Sequence, residues 1–555
     1  MKKFYLKPKF FSVIKNYKKD QFAKDIVAGV IVAIIALPLS IALALASGVE
    51  PACGVYTAIF AGFLVSFLGG SRVQIAGPTA AFATVVAGIV ATQGMEGLII
   101  ATILAGILLI LMGVFKLGSL IKFIPYTITT GFTAGIAVTI FIGQIKDFLG
   151  LQYADGIKPI ETIEKIEANI HAIGTFSWQA LLVGAVSLAI LIIYPKFEKK
   201  IPPSLIAVVV GALMVKFIPA LDSGVFTIGE LYTVPTGLPK FALTGMEFNF
   251  SKVSAVLPDA FTIAILAAIE SLLSCVVADS MVHSRHNSNA ELVAQGVGNI
   301  ASVLFGGIPA TGAIARTAAN AKNGGRTPVA GMVHAVVLLL VLLFLMPLAE
   351  LIPMPTIAAI LFMVAYNMSE HKKFVHILKS APKNDIIVMV ITFGLTVIFD
   401  LVIAIEVGMV LAAMLFMKRM SEETTVSGWK YVDAENDKDS LDLKVVPQNV
   451  RVYEISGPLF FGAADKILDI KYNEKTHCIV LRMRAVSAID ATAMNSLEML
   501  YKKCKKQGVS LVLSHVNEQP LRAMQKAGFY EKVGADNFCP HIDDALNRAA
   551  EISQK

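Results

Sequence analysis

The strongest constraint on this chain is a break written twice. Residues 66–80 read SFLGGSRVQIAGPTA and residues 302–316 read SVLFGGIPATGAIAR. Each copy ends an apolar run at Gly-Gly, passes through a few extended residues and reaches a Gly that opens a new apolar segment. Asp25, at the start of the first long apolar run, lies 52 residues before Gly77; Asp259, at the start of a later one, lies 53 residues before Gly312. Apolar segments interrupted at matching positions in two halves are the pattern of inverted-repeat carriers, whose sites lie near the bilayer midplane. Irregular backbone at that depth must line a cavity or be buried in protein.

Composition agrees. Of 555 residues, 55% are hydrophobic and 16% charged, against roughly a quarter charged in soluble domains. Stretches such as 26–46 and 386–399 carry no Lys, Arg, Asp or Glu, and runs near 20 apolar residues read as membrane spans. Fourteen segments are expected to cross: 26–46, 54–69, 77–92, 98–115, 124–143, 177–194, 204–218, 258–279, 291–305, 311–321, 328–346, 355–367, 385–399 and 401–417. The segments 77–92 and 311–321 are short or weakly apolar, as half-helices would be. A lysine-rich segment, 1–25, precedes them, too polar and too long for a cleavable signal peptide. With it inside, the inner junctions hold Lys116, Lys122, Lys196, Arg285, Lys322, Arg326, Lys372, Lys373, Lys418 and Arg419. The outer loops are poorer in Lys and Arg, as the positive-inside rule requires. The net charge of +7 therefore reflects lysines at membrane edges, and no nucleic-acid partner is expected. The five cysteines show no regular spacing, which argues against a disulfide framework or a metal site.

The transport region is thus expected over 26–419, in the cell (inner) membrane, followed by a polar linker, 420–449. Then VRVYEIS (450–456), HCIVLRM (477–483) and VSLVLS (509–514) read as strands, with helices over 463–472, 491–507 and 517–527. Short apolar strands alternating with helices indicate a soluble α/β domain over 450–555. The orientation argument puts both termini in the cytoplasm.

The chemistry is expected at the breaks. One half-helix is predicted to open at Gly77-Pro78-Thr79, with Pro in its first turn and Ala80 and Ala81 leaving backbone amides open. The other is predicted to open at Gly312, with Ala313 and Ala315. Two facing helix N-termini make a positive end suited to an anion. Arg316, in the second half-helix, is a permanent charge and an oxyanion fork; it binds substrate, snorkels to the inner face or neutralises a nearby acid. Glu270 lies mid-span, and a carboxylate at that depth can carry a proton or form a salt bridge with Arg316. Ser271 and Ser274 offer oxygens on neighbouring turns, so sodium coordination is an alternative to the proton. His286, in an inner loop, reads as a helix cap before Glu291. There is no nucleophile–base pair, Gly-rich phosphate loop or metal cluster, so neither an enzyme nor a cofactor is expected.

The stretches GGSRVQIAGPTAAF (69–82) and ESLLSCVVADSMVHSRHNSNAELVAQGVGNIASVLFGGIPATGAIARTAAN (270–320), with the closing domain, resemble the sulfate permease (SulP) family with its C-terminal STAS domain. The resemblance covers nearly the whole chain. MSEHKKFVHILKSAPKNDIIVMV (368–390) is similar to the branch that imports C4-dicarboxylates. The resemblance implies a polytopic α-helical membrane protein with about fourteen spans in a seven-plus-seven inverted repeat. A core would move against a gate, as in uracil permease, within a homodimer. It places the substrate pocket at Leu39, Leu43, Thr79, Glu270, Ser274, Ala315 and Arg316. Sodium-coupled bicarbonate members have Asp and Thr where this chain has Glu270 and Ser274. Some proton-coupled relatives carry an added acid in the first span, where IALPLSIALALASG (35–48) has none. The STAS domain resembles anti-anti-sigma factors, whose phosphorylated residue falls at Thr492; Asp490 before it is equally a plain helix cap, and a cytoplasmic partner is implied. The expected function is proton-coupled uptake of C4-dicarboxylates such as succinate, fumarate or aspartate. The alternatives are a sulfate or bicarbonate transporter, with sodium as a possible coupling ion, or an anion channel.

Overall fold

The computed structural model describes residues 6–119, 125–154, 157, 159–198, 201–222, 224–232, 237, 239, 241–242, 250–399, 401–428 and 446–554. They fall into two compact units, Met1–Met409 and Val410–Lys555.

The first unit is helical. Among the described residues, six helices are long and apolar enough to cross a membrane: Lys19–Ala46, Pro51–Leu68, Ala80–Val114, Tyr126–Leu149, Trp178–Lys196 and Leu257–Val282. Pro203–Phe217 and Val329–Phe344 are apolar but shorter. The expected segments 77–92 and 98–115 are two helices within the stretch Ala80–Val114, separated at Gly94, where φ is 68° and ψ −175°. Only a residue without Cβ takes that non-helical conformation cheaply, so Gly94 ends the first helix and lets the second begin at an angle to it. Two amphipathic helices that the sequence reading missed, Thr162–His171 and His371–Ser380, lie between the apolar segments.

Packing divides these helices into two sets. In one, Lys19–Ala46, Pro51–Leu68 and Val329–Phe344 pack together, and Ala80–Val114 packs on Leu257–Val282 and Ser288–Leu304. A Cβ on Gly106 would lie 2.7 Å from the Gly296 carbonyl oxygen. Small residues there let two backbones touch, the usual device for joining helices in lipid. In the other set, Tyr126–Leu149 packs on Met354–Met368 and Lys383–Ile398, and Trp178–Ile193 on Met354–Met368 and Pro203–Phe217.

Buried carboxylates fasten the loops of the first set. Asp25, fully buried, accepts from Tyr17 Oη at 2.8 Å, Gln21 Nε2 at 2.9 Å, Arg326 N at 2.9 Å and Thr327 Oγ1 at 2.5 Å. Glu291 accepts from the amides of Gly70 at 2.9 Å and Ser71 at 3.2 Å, which fixes the Gly-Gly turn before the first break. His286 does not cap the next helix, as the sequence suggested. It pairs with Asp279 at 2.8 Å, and Asn287 is the cap, accepting from Ala290 N.

The second unit holds a five-stranded sheet. Val450–Ser456, Cys478–Ala485, Ser510–Ser514 and Phe538–Cys539 run parallel. Thr425–Gly428 adds an antiparallel edge beside Val450–Ser456. Alternate residues of Cys478–Ala485 face opposite cores. Ile479, Leu481 and Met483 pack with Leu497, Leu500 and Phe529, while Cys478 and Val480 pack with Ile542 and Leu546. Burial on both faces is what a parallel sheet with helices on each side requires. The expected linker, 420–449, is corrected at its start. The Leu401–Glu423 helix runs through its first residues, and 425–428 is strand. Its centre, 429–445, lies outside the described residues.

Two substitutions test these anchors. Asp25→Ala strands the Thr327 and Arg326 donors and should lower the melting temperature in detergent, at about 1–3 kcal/mol per stranded group; Asp25→Asn should recover part of the loss. Phe529→Ala should destabilise the second unit by about 3–5 kcal/mol, read by denaturant unfolding.

Candidate functional site

A break in a membrane helix exposes backbone groups that lipid cannot satisfy. Here the two breaks satisfy each other. Ala76–Gly77 and Thr311–Gly312 pair antiparallel, Ala76 opposite Gly312 and Gly77 opposite Thr311. Ala313 N extends the ladder to Ile75 O at 2.8 Å. The pairing sets the beginnings of two helices side by side, Ala80–Val114 and Ile314–Lys322. Both begin later than expected. Gly77 and Gly312 are strand, Pro78 precedes the N-cap Thr79 and so lies outside the first turn, and Ala313 caps the second helix.

Glu270, mid-way along Leu257–Val282, comes to this junction. One of its carboxylate oxygens accepts from Thr79 Oγ1 at 3.0 Å and from Thr311 Oγ1 at 2.9 Å. Each break thus contributes one hydroxyl to the same oxygen. Glu270 and Thr79 are partly exposed, and Ala315 is exposed. Ala80 is buried as the first helical residue, ahead of the first intrahelical hydrogen bonds.

Behind this face lies a buried polar layer. Gly312 N donates to Ser271 Oγ at 2.9 Å, and Gln74 Nε2 donates to Ser271 O at 3.1 Å. Ser274 Oγ, fully buried, donates to Gln74 Oε1 at 2.9 Å. Thr317 Oγ1 accepts from Ile75 N at 3.0 Å. Ser271 and Ser274 are thereby committed to holding the break, and Ser274 belongs to this layer instead of the exposed face. Gln74, Thr311 and Thr317 were missed in the sequence. The repeat itself held the clue to Thr311, because it sits beside Gly312 as Thr79 sits near Gly77.

Arg316 is the third residue of its helix and only 1% exposed. It makes no ion pair with Glu270. Its Nη2 donates to Pro78 O at 3.3 Å, while Nε and Nη1 have no partner. Both alternatives to substrate binding, snorkelling and neutralising Glu270, are thus absent from this arrangement. Leu39 and Leu43 lie on Lys19–Ala46, which packs against the Arg316 helix; Leu39 is partly exposed and Leu43 buried. In the second unit Thr492 is exposed, second in a helix that Asp490 caps by accepting from Ala493 N at 2.9 Å.

Gly77 sets the room for Arg316. A Cβ built there would lie 2.5 Å from Arg316 Nη1, closer than atoms tolerate, and the guanidinium is the movable partner. Gly77→Ala should therefore displace Arg316 while leaving the fold intact. Anion binding is expected to fall by about tenfold, the worth of one charge-assisted contact, at an unchanged melting temperature.

Residues 22–392 match the model of the sulfate permease family and residues 443–545 that of the STAS domain. The putative sulfate transporter YvdB of Bacillus subtilis (strain 168) is 40% identical over 546 residues, covering 97% of this chain and 99% of that one. The bicarbonate transporter BicA of Picosynechococcus sp. is 31% identical over 547 residues, covering 95% and 94%. Among solved structures, the murine Slc26a9 anion transporter superposes with a TM-score of 0.87 at 18% identity, over 99% of this chain and 94% of that one. The transmembrane domain of a cyanobacterial BicA superposes with a TM-score of 0.60 at 28% identity, over 72% and 98%.

Proposed function

Given that the chain belongs to the sulfate permease family, we propose that it is a secondary active transporter of a small inorganic oxyanion, sulfate foremost, coupled to a proton through Glu270. The observation that carries this reading is the seat of Glu270. Its carboxylate sits on the hydroxyls of both breaks, where two helix N-termini favour negative charge. An ionised carboxylate there competes with an incoming anion for the same positive end. A proton on Glu270 removes the competition and cancels one charge. That cancellation matters, because a dianion entering alone works against about 2.3 kcal/mol per charge per 100 mV. Arg316 makes no ion pair with Glu270, so its charge is not neutralised there and remains for an oxyanion.

The names of the relatives reported above are those of sulfate and bicarbonate transporters and do not support the dicarboxylate expectation. Bicarbonate is the second reading, favoured by the relative at 31% identity. The same proposal makes the protein a homodimer of the inner cell membrane, with both termini cytoplasmic and the STAS domain open to a cytoplasmic partner.

Purified protein in liposomes tests this. Sulfate uptake should rise as external pH falls and persist when choline replaces sodium; excess succinate should compete weakly. Glu270→Gln mimics the protonated group and should bind sulfate while losing the pH dependence. Arg316→Ala should weaken binding by about 1.5–3 kcal/mol. A strict sodium requirement, with bicarbonate outcompeting sulfate, would hand the site to the second reading.

A further inference from the structure

His334 is an ionisable residue inside the apolar run of Val329–Phe344, fully buried, with neither ring nitrogen partnered. It lies close to Arg316. A Cβ on Gly62 would stand 3.2 Å from Ala76 O and 3.7 Å from His334 Nδ1. A Cβ on Gly77, the next strand residue, would meet Arg316 Nη1 and lie 3.6 Å from Ala58 Cα. Ala58 and Gly62 are one turn apart on Pro51–Leu68, so the ring and the guanidinium flank the same strand over the same turn of helix. A further unpartnered buried atom, Ser66 Oγ, lies one further turn along that helix and faces Gly331, one turn before His334.

Five buried polar atoms without partners therefore converge behind the first break: Arg316 Nε and Nη1, both His334 nitrogens and Ser66 Oγ. Buried polar atoms of this kind are normally satisfied, and where side chains do not do it, ordered water does. The donor set fits water. The guanidinium only donates, whereas an imidazole offers one acceptor and one donor, and a hydroxyl serves as both. A water accepts from the guanidinium and in turn donates to the acceptor nitrogen of the ring.

We propose that an internal water site bridges Arg316 to His334 behind the Ala76–Gly77 strand, and that His334 is the positioning residue that fixes where the guanidinium points. Its consequence for transport rests on the reading of Arg316 as an anion ligand; the water site itself does not. A ring held through water keeps Arg316 at the strand through Pro78 O instead of letting it swing to Glu270.

The test has two arms. In bilayers, protein labelled at histidine nitrogens is measured by solid-state NMR for polarisation transfer from water to the ring. The His334 signals are identified by their loss in His334→Gln. Transfer is expected in the parent and should be lost in Arg316→Ala; a dry ring, or a signal indifferent to Arg316→Ala, overturns the water site. In the second arm, sulfate uptake is compared in three proteins of matched melting temperature. His334→Leu should raise KM about tenfold with the limiting rate within about twofold, the signature of a lost charge-assisted contact. His334→Gln, which keeps a donor and an acceptor, should restore KM. Equal KM in all three overturns the positioning role. If the parent takes up no sulfate, the transport reading fails, and the water-to-ring transfer still decides the site.

Discussion

Everything in the first unit depends on a two-residue β-ladder. Breaking one membrane helix strands backbone groups in a medium that cannot hydrogen-bond them. Breaking two at matching positions lets each strand serve the other, and the Ala76–Gly312 and Gly77–Thr311 pairs do this. The ladder needs small residues. A Cβ on Gly312 would collide with Gln74 Nε2 and stand 3.1 Å from Ser271 Cα. The ladder also makes the site possible. By joining residues more than two hundred positions apart in the chain, it sets two helix beginnings together, and their dipoles add instead of being spent separately in lipid.

That local field explains why the charged residues sit apart. An Arg and a Glu in one membrane site would ordinarily pair. Glu270 instead accepts from Thr79 and Thr311, and Arg316 lies against Gly77 and Pro78. The helix N-termini give the carboxylate a seat that does not need the guanidinium. A direct Arg–Glu pair would satisfy both groups so well that neither a proton nor an anion could enter. Separation leaves each one addressable.

The sequence displayed the backbone logic more clearly than the side-chain logic. The repeated Gly-Gly, followed in each copy by a further Gly, located both breaks, and the apolar runs located the helices, because those signals are local. Helix starts slipped by two or three residues, since Gly77 and Gly312 were read as openings when tertiary pairing draws them into strands. Ser274 was expected on the open face but lies behind it, and Thr311 was missed. Which side of a buried helix faces the open side of the site depends on neighbours far away in sequence, and an all-round apolar helix carries no stripe to reveal it. The linker misreading has the same source: Thr425–Gly428 becomes a strand only because Val450–Ser456 supplies an edge.

The two repeats match in backbone but not in chemistry. Aligned on Gly77 and Gly312, the position matching Arg316 is Ala81; aligned on Asp25 and Asp259, the position matching Glu270 is Ala36. Both alanines are fully buried. The second repeat thus carries the acid and the base, and the first supplies hydroxyl, amides and small residues for them to work against. For a carrier working by alternating access, as proposed above, such backbone symmetry would make the inward and outward arrangements similar in packing energy, and the chemical asymmetry would leave the coupling chemistry to one carboxylate. On the coupling proposed above, Glu270 must gain its proton facing one side of the membrane and lose it facing the other. A seat of two neutral hydroxyls permits both events, because hydroxyls can donate to the ionised carboxylate and accept from the protonated one.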